Sequence, residues 1–330
     1  MLRRKVAALL MLCAAVGSGC SSGQPSDELM VSDNPTAATP ARSPAAGTPA
    51  GMVLPLAGSP TSMVVASDVL AVAVDSAVLL YPLTSSGLGQ PTTVPLSGPA
   101  DTLSVDGSRL LASVGAGGEL VRIALPGGAV EPAAIDGQPV SATAFGDRTL
   151  VAVRDRQAVA VLDGDRTQRM ISGGLLSADV VLSPGDHAVV FDRLRNAVFE
   201  LDVPAGTVDE GLRAGQGSTN AVTDRFGRVL VADTRGDALL AFSVDPLLLR
   251  QNFPVPGAPY GLTYDRERDL LWVTLTETNE VVGYDIAGEE PRERHRFPTV
   301  EQPNTVTVDE KSGRVIVASA TGKGIQVIAV

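Results

Sequence analysis

Leu270-Leu-Trp-Val-Thr-Leu275 and Val281-Val-Gly-Tyr-Asp-Ile286, with the turn residues Glu277-Thr-Asn-Glu280 between them, decide the fold. Both runs are made of leucine, β-branched and aromatic residues. They are too short for helices, and a polar turn separates them, so they read as paired strands. Upstream, Tyr260-Gly-Leu-Thr-Tyr-Asp265 is a strand of the same kind, closed by the turn Arg266-Glu-Arg-Asp269. Downstream, Arg292-Glu-Arg-His-Arg-Phe-Pro298 is more polar and reads as an exposed outer strand, where charge discourages pairing with other chains.

This four-strand unit recurs. Its second strand has counterparts at Leu70-Ala-Val-Ala73, Leu110-Leu-Ala-Ser113, Leu150-Val-Ala-Val153, Ala188-Val-Val-Phe191, Val229-Leu-Val-Ala232 and Val315-Ile-Val-Ala318. The seven starting positions step by 40, 40, 38, 41, 41 and 45 residues. The third strand keeps phase at Val78, Leu120, Val159, Val198, Leu239, Val281 and Ile325. A proline precedes the first strand at Pro60, Pro99, Pro139, Pro259 and Pro303, and is missing from the fourth and fifth units. A period of this length built only of short strands predicts an all-β, seven-bladed β-propeller with one sheet per repeat. Stacked repeats form one continuous body, so residues 51–330 read as a single propeller. Aromatic residues are only 4% of the chain, which leaves blade packing to Val, Leu, Ala and Ile.

The seventh repeat runs out after its third strand, at Ile325–Val330, while Met52-Val-Leu-Pro-Leu-Ala-Gly58 matches a fourth strand with no repeat of its own. The simplest closure lets this N-terminal strand complete the last blade.

The recurring Asp224-Arg-Phe-Gly-Arg228 and Asp309-Glu-Lys-Ser-Gly-Arg314, each ahead of a valine-rich strand, carry a family resemblance. The pattern resembles seven-bladed propellers of the YVTN and NHL type, as in YncE-like periplasmic proteins, over about residues 52–330. That resemblance implies a central channel lined by the first strands. It also implies a ligand- or partner-bearing face formed by the loops entering those strands and the loops between strands two and three. It speaks to fold far more than to activity.

The N-terminus reads as an export signal over residues 1–19. Met1-Leu-Arg-Arg-Lys5 is positive, and Val6–Val16 is apolar but too short to span a bilayer of about 30 Å. Val16-Gly-Ser-Gly-Cys20 then resembles the lipobox of bacterial lipoproteins, although Gly17 stands where that family prefers leucine. The resemblance implies cleavage before Cys20, its lipidation, and anchoring at the outer face of the cytoplasmic membrane of an actinobacterium-like cell. Cys13 lies within the signal, so Cys20 becomes the lone cysteine of the mature chain, suited to acylation rather than to an internal disulfide. Stable anchoring needs more than one acyl chain. Residues 20–50, rich in Pro, Ala, Ser, Thr and Gly, read as a disordered tether holding the body away from the membrane.

Net charge is −11. Without Arg3, Arg4 and Lys5 of the signal the balance is 23 basic against 37 acidic residues, or −14. Such a surface repels phosphate backbones, so nucleic acid is excluded as an expected partner. A monomer is expected.

Candidate binding residues fall on the partner-bearing face. Three consecutive repeats place arginines there, in Arg154-Asp-Arg156, Asp192-Arg-Leu-Arg195 and Asp233-Thr-Arg235-Gly-Asp237. Arg154, Arg156, Arg193, Arg195 and Arg235, with Asp233, would form a docking surface, since guanidinium forks suit carboxylates and phosphates. The alternative is that each arginine pairs with a neighbouring aspartate between blades. Asn220, Tyr260 and Asn304, at the starts of first strands, are candidates at the channel entrance, either for a ligand or for local backbone groups. Metal chemistry finds little support. His187 falls in a turn on the opposite face and His295 on an outer strand, too far apart for a joint site. No nucleophile elbow, phosphate-binding glycine loop or CxxC is present, and Gly115-Ala-Gly-Gly118 reads as a hairpin turn. No cofactor is expected. The reading is a cell-envelope lipoprotein that works by binding, a scaffold for envelope proteins or small anionic ligands. The alternative is a propeller enzyme of lactonase or lyase type with a divalent metal at the channel. Streptogramin lyases of this fold need a histidine base near the channel mouth. Lactonase-type propellers need a Glu/Asn/Asp set, which Asn220, Asn304 and Asp233 would match in part.

Overall fold

The computed structural model describes residue 29 and residues 34–330 apart from 86 and 289. The expected signal segment and Cys20 lie outside the described residues. The described chain forms seven antiparallel sheets. Among the described residues helix is confined to two single turns, Gly115–Gly117 and Arg154–Arg156. The inner strands of blades 1 to 7 are Pro60–Ala66, Thr102–Asp106, Pro139–Phe145, Val180–Leu182, Ser218–Thr223, Pro259–Asp265 and Pro303–Asp309. Each packs against the next, and that of blade 7 packs against that of blade 1, which closes the ring.

The second strands carry the repeat signal because they are buried on both sides. Val69–Val74 in blade 1 and Leu270–Leu275 in blade 6 are buried at every position. Their side chains alternate between the cores shared with the two neighbouring blades. Leu270, Trp272 and Val281 of blade 6 meet Val306, Val308, Val315 and Val317 of blade 7. Leu70, Val72 and Met63 of blade 1 meet Ile316, Ala318, Ile325 and Val327 of blade 7. Each fully buried Leu, Ile or Val contributes about 1.5–3 kcal/mol. Trp272, expected between blades, lies there and also stacks on His295 at a centroid distance of 5.6 Å.

Closure follows the sequence expectation. Met52–Leu54 is the outer strand of blade 7, with Met52 opposite Val327, Val53 opposite Gln326 and Leu54 opposite Ile325. Gly51 turns the chain into this strand at φ +66°, and a Cβ there would lie 2.2 Å from the Val327 carbonyl oxygen, so only glycine fits.

The Asp…Arg motif proves to be an inter-blade strut on the lower face. Asp224 ends an inner strand of blade 5 and holds Arg228 (Nε to Oδ2, 2.6 Å), whose Nη2 donates to Ile286 O of blade 6 at 2.8 Å. Asp265 holds Arg268, which reaches Glu310 O of blade 7 at 2.9 Å. Asp309 holds Arg314, which reaches Thr84 O of blade 1 at 2.9 Å. In each case the buried carboxylate fixes the guanidinium, which also satisfies a carbonyl of the next sheet, through a second nitrogen in Arg228 and Arg314 and through the same Nη1 in Arg268.

The segment expected to hang free as a tether differs over its described part. Residues 34–50 have no regular secondary structure, yet they lie against the upper face, and Ala38 is fully buried. The segment buries little apolar surface of its own. It is held because loops of the propeller supply hydrogen-bond donors to its carbonyls, partners that composition alone does not reveal.

Candidate functional site

On the upper face one device recurs in blades 4, 5 and 6. Asn196, Asp237 and Asn279 sit in the loops between strands two and three at φ 49°, 49° and 55°. Asn and Asp tolerate this left-handed conformation better than other residues with a Cβ. Each side chain accepts from the loop entering the next blade: Asn196 from Ser218 N (2.9 Å), Asp237 from Gly257 N (3.2 Å) and Ala258 N (2.8 Å), and Asn279 from Gln302 N (3.0 Å). A second set clasps within a blade. Asp192 accepts from Leu176 N at 2.7 Å and Ser177 N at 3.1 Å. Asp233 accepts from Gln216 N at 2.9 Å and Gly217 N at 2.8 Å. Asp233, expected at the binding surface, is therefore turned inward and saturated by backbone N–H groups.

The five arginines divide. Arg154 bridges three blades, with Nε 2.8 Å from Asp179 and Nη1 3.6 Å from Asp101. Arg156 pairs with Asp136. Arg154 follows the inter-blade pairing alternative, whereas Arg156 pairs with an aspartate of the loop entering its own blade. Arg193 and Arg235 do not: Arg193 Nη2 donates to Ala38 O, and Arg235 Nη2 to Thr36 O at 3.3 Å. Among the described residues neither has a carboxylate within ion-pair distance. The Arg195 guanidinium stands 5.9 Å from the Phe199 ring centroid. Arg213, which the sequence did not single out, donates to Leu29 O at 2.6 Å. It stands on an outer strand, where the repeat pattern marks only an exposed edge.

Between these loops a cavity of about 670 Å³ runs down the axis, lined by the inner strands and at its upper end by Asp101, Arg154, Asp179 and Arg193. Burial at this mouth pushes the Asp101 carboxyl up, against the pull of Arg154 and the Gly115 N–H. Asn220, Tyr260 and Asn304 line this channel. They sit beside ladder irregularities that follow Ser218, Pro259 and Pro303. A strand-opening proline has no N–H to give, and the bulge re-aims the residues after it. Two of the three side chains are engaged locally. Asn220 Nδ2 donates to Tyr260 O at 3.0 Å, and Asn304 Oδ1 accepts from Gln302 Nε2 at 3.0 Å. Hydroxyls of the wall likewise reach the next blade, Thr61 to Ala100 O at 2.6 Å and Thr102 to Val140 O at 2.9 Å.

The structure does not join Asn220 and Asn304 to Asp233 around one point. Among the described residues no group of three or more His, Cys, Asp or Glu is placed to hold a metal ion. His187 closes a lower-face turn beside Pro184, and His295 packs against both Trp272 and Phe297 on the outside of blade 6. Neither histidine lines the channel.

Fold and site together define a seven-bladed propeller with an axial channel, whose upper loops hold a stretch of its own chain. No family model matches the sequence, and no curated protein does. Solved structures do resemble it. A catalytically inactive virginiamycin B lyase from Staphylococcus aureus with quinupristin has a TM-score of 0.70 at 13% identity, over 84% of this chain and 98% of that one. Kuenenia stuttgartiensis hydrazine synthase gives 0.70 at 14% identity, over 86% and 99%. A chain of the mitotic checkpoint complex gives 0.72 at 12%, over 89% and 99%. Likeness at these identities is likeness of fold, and it spans enzymes and assembly components alike.

Proposed function

We propose that this is an exported, lipid-anchored propeller of the cell envelope that works by binding a partner at its upper face. One observation carries this reading: that face already binds polypeptide, holding residues 36–44 through side chains of Arg193, Arg235, Asn279 and Gln302. The channel supports binding over turnover, because Thr61, Thr102 and Asn220 of its wall are engaged by inter-blade carbonyls and both histidines stand away from it. The export signal and the lipobox-like Cys20 support the envelope setting. Cys20 would carry the acyl groups, and the acidic surface argues against nucleic acid.

Crosslinking in intact cells, with identification of what is captured, tests the reading. Capture of defined envelope proteins by the native chain, and its loss when Arg193 and Arg235 are both changed to Ala, is the expected result. Unchanged capture by that variant overturns the upper face as the binding surface. Cys20→Ser moves the protein from the membrane pellet to the soluble fraction, and a variant that stays in the pellet refutes the anchor.

A further inference from the structure

We infer that the upper face is a groove for an extended peptide of small residues and prolines, and that residues 35–44 of the chain fill it in cis. This rests on the reading of that face as the binding surface and names the chemistry of what it binds.

The contacts are those of a bound peptide. The segment Pro35-Thr-Ala-Ala-Thr-Pro-Ala-Arg-Ser-Pro44 forms no strand pairing with any blade. Side-chain donors take its main-chain oxygens in turn: Arg235 at Thr36, Arg193 at Ala38, Gln302 Nε2 at Ala41 (2.9 Å) and Asn279 Nδ2 at Pro44 (2.9 Å). Gln302 also accepts from Ser43 N at 3.1 Å, and Ser43 Oγ donates to Thr276 O at 2.5 Å. Reading carbonyls recognises a backbone conformation, and prolines pre-set the extended one at low entropy cost. Side-chain selection falls to one position. Ala38 has 0% exposure, so no water-sized space lies against its methyl, in the neighbourhood of Gln138, Arg154, Leu176 and Arg193.

Two facts separate this from packing needed by the fold. The ring is closed by Met52–Leu54, downstream of the segment. And Arg193 and Arg235 give their charge to neutral main-chain oxygens of the segment, while Arg154 and Arg156 next to them have carboxylates. The path also matters. Ala38 is held by blade 4 and Ala41 by the loop entering blade 7, three blades further round the ring, so Thr39 and Pro40 cross the channel mouth. An occupant in cis is present at an effective concentration on the order of 1 mM, so a partner peptide must outcompete it.

The experiment uses the full chain. Ala38→Trp cannot seat its side chain, and Ser43→Ala removes the hydroxyl contacts with Thr276 O and Gln302 N while leaving Ala38 and the propeller unaltered. Release is read by tryptic cleavage after Arg42, expected at least about tenfold faster in both variants at an unchanged melting temperature. A labelled synthetic peptide of residues 35–44 is then titrated by anisotropy. Both variants are expected to bind it at least about tenfold more tightly than the native chain. A peptide carrying Trp at position 38 should bind neither variant. The inference is overturned if a folded, rapidly cleaved variant takes up no peptide, if the Trp peptide binds equally well, or if an oligoglutamate peptide binds in preference. It is also overturned if both folded variants are cleaved no faster than the native chain. Envelope capture that still depends on Arg193 and Arg235 in any of those cases would leave the broader binding role standing without the peptide groove.

Discussion

Gln326, wholly buried in the third strand of blade 7, donates its side-chain amide to Ala50 O at 2.8 Å and to Pro298 O at 2.9 Å. Its Oε1 accepts from Val300 N at 3.0 Å. One amide thus pins the entry to the closing strand, the end of blade 6 and the loop into blade 7. Gln326→Leu leaves the buried Val300 N–H and the half-buried Ala50 O without this partner, while Pro298 O keeps the Ala50 N–H, and an unpaired buried group costs about 1–3 kcal/mol. Urea unfolding should show a loss of about 2 kcal/mol, and deletion of residues 51–58 a larger one. A midpoint equal to that of the native chain would mean the closure contributes nothing to stability.

Gly283 faces Trp272 so closely that a Cβ would lie 2.9 Å from the indole ring. Gly283→Ala forces the ring off its seat between blades 6 and 7, at a cost of about 1–3 kcal/mol. Trp272→Ala leaves a cavity and costs about 3–5 kcal/mol. Thermal melts of the two variants check the order, and an alanine at 283 as stable as glycine would refute the tight seat.

Asp309 supplies a pH-dependent share of stability. Burial raises its carboxyl, but Ser312 and Arg314 outweigh that and hold it below its ordinary value of 3.8. A lowered carboxyl pKa contributes stability above the unfolded value, and that contribution is lost as pH falls through the folded one. Asp309→Asn should therefore cost about 2 kcal/mol at pH 7 and progressively less below about pH 4. A cost that stays constant from pH 7 to pH 3 would contradict the ion pair as its source.

Asp237 combines a left-handed backbone with two accepted N–H groups from the next blade. Asp237→Asn keeps one acceptor oxygen and the tolerance for positive φ, so it should stay within about 1 kcal/mol of native, whereas Asp237→Ala loses both and should cost about 2 kcal/mol or more. Hydrogen exchange at Gly257 and Ala258 localises the effect. Equal protection in the alanine variant would show that the clasp does not hold the loop.

The fold was legible because its signal is local and repeated. The second strands, such as Leu70–Ala73 and Leu270–Val273, are buried on both faces, so each shows as an uninterrupted apolar run, and seven runs in phase leave one architecture. The orphan strand at Met52–Leu54 was legible for the same reason, as a strand without a repeat.

The site was legible only in outline. Repeat phase placed Arg154, Arg193, Arg195 and Arg235 on one face, and Asn220, Tyr260 and Asn304 on the channel. Phase says nothing about what a guanidinium meets once it is there. Arg228 and Arg314 looked like family ornament and are struts, while Asp233 looked like a surface ligand and is a backbone clasp.

By itself the sequence determined the number of sheets, their strand order and the pairing that closes them, because burial imposes a period that can be read along the chain. Tertiary structure alone decided what covers the upper face. Thr36 meets Arg235, Ala38 meets Arg193 and Ala41 meets Gln302 across about 155 to 260 residues of chain. Those bonds are made to main-chain oxygens, which every residue carries alike, so no choice of side chain announces them in advance.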